Sequence, residues 1–392
     1  MVLQKAVWAG VNNGSYPLAA AALQQLAGVS LSSKQVRRMV GQIGQARLAE
    51  RDEAVAQLQT LSLPKRRAGS RAGEPPEVAV ISMDGGRYQR RDNFRGAVTR
   101  ETGGKHWRET KVGCLLSMRS DVHPCDPAAE FPEWLATSEA VAELAKIAEK
   151  TADSAAPLAD DVTSAPRPEP LYKPPQLLSR EVVASSADAE MFGWQLEARA
   201  WQLGFPAAER QAFIGDGLPV NWVICRRHFP HATPILDLMH ALSYAYSAAD
   251  ACDGGASYRA WAEWIWQGQV WQVVAALKQC QQNVGLPPAD AEPGDPRHRI
   301  QRAITYYTNH QSRMNYPEYR RLGLPLNSSH IESTIKQMNQ RIKGSEKFWR
   351  RESGEAVLQL RADNLSDTQP LVPFWRRWLA QQSGSNSYQT AA

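Results

Sequence analysis

Apolar positions recur at helical spacing between residues 17 and 43, first in PLAAAALQQLAG and then in VSLSSKQVRRMVGQIG. Gly28 breaks the pattern and Ser32 stands where an N-cap belongs, so two short helices around a turn are predicted. The second helix would carry Val36, Met39 and Val40 on one side and Lys34, Arg37 and Arg38 on the other. A charged helix over about 45–60 and the stretch LPKRRAGSRAGEPPE follow, the latter a domain boundary by composition. From residue 77 the pattern becomes strand-like: EVAVISMDGGRYQRR reads as a buried strand that ends at a turn. Further strands are expected in HWRETKVGCLLSM (106–118) and LLSREVVASS (177–186), with a Pro-rich insertion at about 150–176 between them. A helix over 187–204, a short strand RQAFIGDG (210–217) and a strand-to-helix segment TPILDLMH (233–240) come next. Residues 241–322 read as mainly helical, and SSHIESTIKQMNQRIKG (328–344) as one more helix, N-capped by Ser328 or Ser329 and closed by Gly344. Residues 379–392 are expected to be a disordered tail.

Composition narrows the class without naming a function. A chain of 392 residues, 43% hydrophobic and 22% charged, has room for two or three globular domains. Its 45 basic and 40 acidic residues leave +5, too small an excess to identify a polyanionic partner, so the placement of charge carries more information than its sum. Five cysteines at irregular spacing (Cys114, Cys125, Cys225, Cys252, Cys280) predict no disulfide framework and a reducing compartment. With neither a cationic leader nor a membrane-length apolar run, a cytoplasmic protein with no membrane partner is expected.

Three acids fall at element ends. Asp84 closes the first strand, Asp216 closes the strand after the first long helix, and Glu332 lies near the start of the late helix. Strands followed by helix, strand, strand and late helix is the order of a ribonuclease H-like domain, in which such acids converge on one sheet edge. Carboxylates alone suit Mg²⁺ or Mn²⁺ better than zinc, and two ions roughly 3.5–4 Å apart serve in-line phosphoryl displacement. An Asp-Gly pair is, taken singly, more often a turn than a ligand; the three acids in this order outweigh that reading. Asp237, at the end of its own strand-like run, rivals Asp216, and lies one helical turn from His240. Cys225 and His228 with Asp237 and His240 form a nominal zinc set, at a spacing that matches no common finger. Trp261, Trp264, Trp266 and Trp271 suit either core packing or stacking on unpaired bases. Basic residues flank the acids: Arg87, Arg90 and Arg91 follow the first, while Lys336, Arg341, Lys343, Lys347, Arg350 and Arg351 follow the last, with Trp349 among them. Such runs are solvated faces by default; around a phosphoryl-transfer site they would contact phosphates and position DNA without reading its sequence.

MDGGRYQRR, FIGDG followed by Trp222, DLMH and NSSHIESTIKQMNQRIKGSEKFW occur in the order seen in bacterial insertion-sequence DDE transposases. The chain resembles their Kra-type group, in the wider neighbourhood of Mutator-like elements, over roughly residues 17–365. The resemblance implies a ribonuclease H-like α/β catalytic domain over 77–240, an all-helical insertion over 241–322, and a C-terminal catalytic helix region over 323–365. Residues 1–62 would be a helical, helix-turn-helix-like DNA-binding region that uses Lys34, Arg37 and Arg38. It further implies Asp84, Asp216 and Glu332 as catalytic, metal-holding acids, Asp237 and His240 as active-site support, and two Mg²⁺ or Mn²⁺ ions. The implied partners are transposon-end and target DNA and a second copy of the chain, since two ends must be paired. The Pro-rich insertion interrupts the pattern and suggests a non-catalytic DNA-binding remnant as one alternative; a structure-selective nuclease on the same fold is another.

Overall fold

The computed structural model describes residues 2–70, 74–91, 106–152, 173–292, 294–344 and 346–383. In chain order the elements are helices α1 (Val2–Asn12), α2 (Tyr16–Ala27), α3 (Ser33–Thr60) and α4 (Leu63–Arg67), strands β1 (Val78–Arg90) and β2 (Trp107–Arg119), helix α5 (Ser138–Ala152), strand β3 (Gln176–Ser185) and helix α6 (Ala189–Gln202). Then follow β4 (Arg210–Gly215), α7 (Pro219–His228), β5 (Thr233–Leu236), and helices α8 (Leu238–Asp253), α9 (Tyr258–Trp266), α10 (Val270–Val284), α11 (Pro296–His310) and α12 (Tyr316–Arg321). The chain closes with α13 (Ser329–Ile342), β6 (Phe348–Trp349), α14 (Arg351–Leu365) and α15 (Leu371–Ser383). The protein is therefore mixed α/β, rich in helix, and none of its described helices is long and apolar enough to cross a membrane. It divides into two compact units, the first of residues 1–117, 177–209 and 329–392, the second of 118–176 and 210–328. This division crosses the segment boundaries expected from the sequence, because each unit is assembled from distant stretches.

In the first unit the break and cap expected around Gly28 and Ser32 form as read. Gly28 takes the left-handed conformation (φ 60°) and its N–H and that of Val29 close α2 on Gln24 and Leu23, while Ser32 and Gln35 make a reciprocal capping box. Beyond it the two expected helices of 33–60 are one, 28 residues long. Its apolar positions Val36, Val40 and Ile43 are fully buried, whereas Lys34, Arg37 and Arg38 are exposed. Its charged half is not a solvated connector. Arg47 makes a two-pronged ion pair with the nearly buried Asp363 of α14 (2.9 and 3.2 Å), and Arg51 reaches Glu355 at 2.9 Å. Gly44 lies so close to Ala356 that a Cβ on it would stand 2.5 Å from the alanine Cβ. The N-terminal helices thus pack on the C-terminal ones within one unit. Strands β3, β2 and β1 neighbour one another in that order, and β6 pairs parallel with the end of β1, Gln89 opposite Phe348 and Arg90 opposite Trp349.

The second unit holds β4 and β5, a parallel pair linked through α7, with Gly215 opposite Leu236. Besides α5 and α7 it holds the run of helices α8 to α12, which the 241–322 pattern predicted. Trp261 and Trp266 are buried, which favours packing for those two, while Trp271 is exposed. The wholly buried Arg320 lies 4.0 Å from the Trp266 ring and is paired with Asp126 through two hydrogen bonds. Cys252 of α8 and Cys280 of α10 form a disulfide, Cα atoms 6.1 Å apart. This corrects the expectation of none: the spacing looked irregular because helix packing, not sequence pattern, brings the two thiols together. Two further expectations fall partly outside the described residues. Most of the Pro-rich insertion lies there, and of the expected tail only 384–392 does, since 379–383 continue helix α15.

Candidate active site

Asp84 and Glu332 belong to the first unit, Asp216, Asp237 and His240 to the second. Asp84 does not end its strand. β1 runs on through Gly85 and Gly86 to Arg90, and the local signal for a turn is overridden by β2 alongside. There a Cβ on Gly86 would meet the Thr110 hydroxyl at 2.8 Å, so glycine serves close strand approach. Asp84 is the first half-buried position after six buried ones, and its carboxylate accepts the Gly85 N–H. Helix α13 packs against β1 and carries Glu332, half-buried, in its first turn.

Asp216 directly follows β4 and Asp237 directly follows β5, so the parallel register sets the two acids at adjacent strand ends. Their chemistry diverges. Asp237 is buried and both its oxygens are committed. Oδ1 accepts the backbone N–H of His240 (2.9 Å) and faces its Nδ1 (3.1 Å); Oδ2 accepts the N–H and hydroxyl of Ser328, both at 2.6 Å. Burial alone would raise this carboxyl, but the hydrogen bond and charge of His240 and the Ser328 donors hold it below the usual range. Asp216 is half-buried, and one oxygen accepts the Leu218 N–H (3.0 Å) and the Asn221 side-chain amide (2.9 Å). Its other oxygen accepts no hydrogen bond among the described residues. Burial pushes its carboxyl up, against the opposing charge of His240 and the Leu218 N–H.

No protein-family model matches the chain, and no curated protein matches it. What the site can do therefore rests on its own groups. Among the described residues no three His, Cys, Asp or Glu side chains stand together as a metal-binding group, so fit to a divalent ion is judged residue by residue. Asp216 fits: a buried-edge carboxylate with a free oxygen, desolvated, gains most from a neighbouring cation. Asp237 does not, because both its oxygens already accept hydrogen bonds in a buried setting, and a metal there would displace those donors. The nominal zinc set fails too. Cys225 is buried, its thiol pushed up to about 11, and Asp237 and His240 are spent on each other.

The basic residues sort by burial. Lys336, Arg87, Arg91 and Arg350 are exposed, and Arg90, Lys343 and Lys347 are partly so. Arg341 and Trp349, read from sequence as DNA contacts, are interior instead. The Arg341 guanidinium donates to the Gly10 carbonyl (2.9 Å) and lies 4.6 and 4.8 Å from the Tyr16 and Trp349 rings, filling the space between α1, α2 and α13. The sequence reading missed β6, which is only two residues long. By pairing with the end of β1 it brings the run around Arg87–Arg91 beside the run around Lys343–Arg351 on one edge of the first unit. Asn221 and Ser328, which orient the two strand-end acids, were also missed; an Asn five residues after an acid and a Ser before a helix have many commoner uses.

Proposed function

We propose that the chain is a DDE-type transposase of the insertion-sequence kind, which cleaves transposon ends and joins the freed 3′-hydroxyl to target DNA through a ribonuclease H-like catalytic region. The observation that carries this reading is Asp216: a desolvated carboxylate at the carboxyl end of a parallel strand, oriented by Asn221 and Leu218, with one oxygen uncommitted. Carboxyl ends of parallel strands are where α/β sheets place their chemistry. Asp84 and Glu332 are the other two metal-holding acids in this reading, on elements that pack together. Bound Mg²⁺ or Mn²⁺ would supply activation of water or the 3′-hydroxyl and neutralise the leaving oxygen. Asp237 is a positioning residue: it caps α8, holds Ser328, and orients His240, whose charge acts on Asp216. The exposed cations at the β1–β6 edge and Lys34, Arg37 and Arg38 of α3 would hold phosphates, giving salt-dependent affinity.

The test is cleavage and joining of labelled DNA bearing the element's own end, with and without Mg²⁺ or Mn²⁺. Asp84→Ala, Asp216→Ala and Glu332→Ala should abolish cutting while DNA binding persists. Cutting without any joining by the wild type would make the protein a nuclease, and binding without cutting would make it a non-catalytic remnant.

A further inference from the structure

The second unit contains a cavity of about 600 Å³, within the range of small-molecule sites, that the three-acid reading does not use. Its lining includes Arg226, Arg302 and Arg313 and no carboxylate. Neither Arg226 nor Arg313 is paired with an acid among the described residues, and Arg313 is close enough to Arg226 to feel its charge. Uncompensated like charges around one space mark a site for an anion. Two of the arginines lie against rings: Arg313 lies 4.5 Å from Trp222, and Arg302 lies 5.6 Å from Tyr244, to whose hydroxyl it donates at 3.4 Å and which itself stacks on Tyr306 at 3.8 Å. A guanidinium fixed in this way loses little freedom when its N–H edge meets phosphate, and its outer plane is a surface on which a base can stack. Two ring nitrogens in the wall, the buried Trp222 indole N–H and His298 Nδ1, have no hydrogen-bond partner. Burial and the charge of Arg313 hold His310 down to about 4, so His310 adds no positive charge to the wall at neutral pH.

The cavity is also joined to the strand-end acid. Tyr306 donates its hydroxyl to the Asp216 carbonyl at 2.9 Å, and Gly217, at φ 108°, lies against the same ring. A Cβ there would stand 2.7 Å from Tyr306 and 3.2 Å from His310, so only glycine lets the Asp216 turn sit on the cavity wall.

We propose that this cavity binds one unpaired nucleotide of a DNA strand, its phosphate on Arg226 and Arg313 and its base against the Arg302–Tyr244 stack, beside Asp216. That the nucleotide belongs to DNA rests on the transposase reading; the demand for a phosphate bearing a ring does not.

The experiment uses the full chain and fluorescence anisotropy of a labelled short single-stranded oligonucleotide, with dTMP, inorganic phosphate and blunt duplex as competitors. Arg226 is exposed, so Arg226→Glu keeps the fold, and Arg313→Gln is the second variant. Each should weaken single-strand binding by roughly tenfold or more while duplex binding holds, and dTMP should compete better than phosphate. Wild-type affinity in Arg226→Glu, or phosphate competing as well as dTMP, overturns the proposal. If Arg226-dependent nucleotide binding is found while the wild type never cuts an end with metal present, the transposase reading fails and the nucleotide site stands.

Discussion

Two aspartates at adjacent strand ends do opposite things to stability. Asp237 satisfies Ser328 and His240, and Asp216 is a carboxylate that burial disfavours. Asp237→Ala therefore leaves buried donors unmet and should cost ~1–3 kcal/mol in a denaturation experiment. Asp216→Asn keeps an acceptor for Leu218 and removes the desolvated charge, so its melting temperature at neutral pH should equal or exceed the wild type's, the usual mark of a functional residue. The pH dependence has matching signs. Asp237 has a folded pKa below its unfolded one, so its stabilisation is present above about pH 4, the ordinary Asp value, and is lost as pH falls below it. The raised pKa of Asp216 favours the fold at low pH, and that benefit disappears as pH rises through the folded value. Acid titration of stability should thus be shallower in Asp237→Asn than in wild type. A steeper curve would mean that the Ser328 and His240 contacts are not what hold this carboxyl.

At the scale of elements, close approach and buried aromatic stacking decide which segments hold together. Helix α3 meets α14 at Gly44, where Ala356 leaves no room for a side chain. Gly44→Val should separate the helices and lower stability by ~1–3 kcal/mol, an overpacking cost readable as a fall in denaturation midpoint. Strand β6 is held by little pairing and by Trp349, whose indole N–H donates to the Ile342 carbonyl and whose ring lies against Arg341 and Tyr16. Trp349→Ala should cost ~3–5 kcal/mol. If the basic edge depends on β6, the same variant should weaken DNA binding although Trp349 itself is buried. These elements also show how far local reading reaches. Helix α2, the Ser32 cap, β4 and the passage from β5 into α8 follow from Gly, Ser and period-two signals within a few residues. β1 departs from its Asp-Gly-Gly signal because the neighbouring strand supplies pairing that a turn would forfeit.

At the scale of the whole molecule, the disulfide and the charge distribution are the properties to test. Cys252 and Cys280 are 28 residues apart, and closing a loop of that length contributes about 3.6 kcal/mol by chain entropy. Reduction, or Cys252→Ser with Cys280→Ser, should lower the melting temperature and leave the first unit's caps and ion pairs unaffected. On the transposase proposal, affinity for DNA carried by exposed cations such as Lys34, Arg37, Arg38, Arg87 and Arg350 should fall linearly on a log–log plot against salt, with slope about −0.9 per phosphate neutralised. By itself, the sequence determined the α/β alternation, most helix and strand positions, and the exposed basic face of α3, because each depends on contacts within a turn or two. Only the tertiary structure decided that Asp237 is committed while Asp216 keeps a free oxygen, that Arg341 is a core residue, and that an arginine-lined cavity adjoins Asp216. Those outcomes depend on partners 91 residues away for Asp237 and 331 for Arg341. A side chain's chemistry follows from which donors, acceptors and rings folding brings to it, and no spacing along the chain encodes separations of that length.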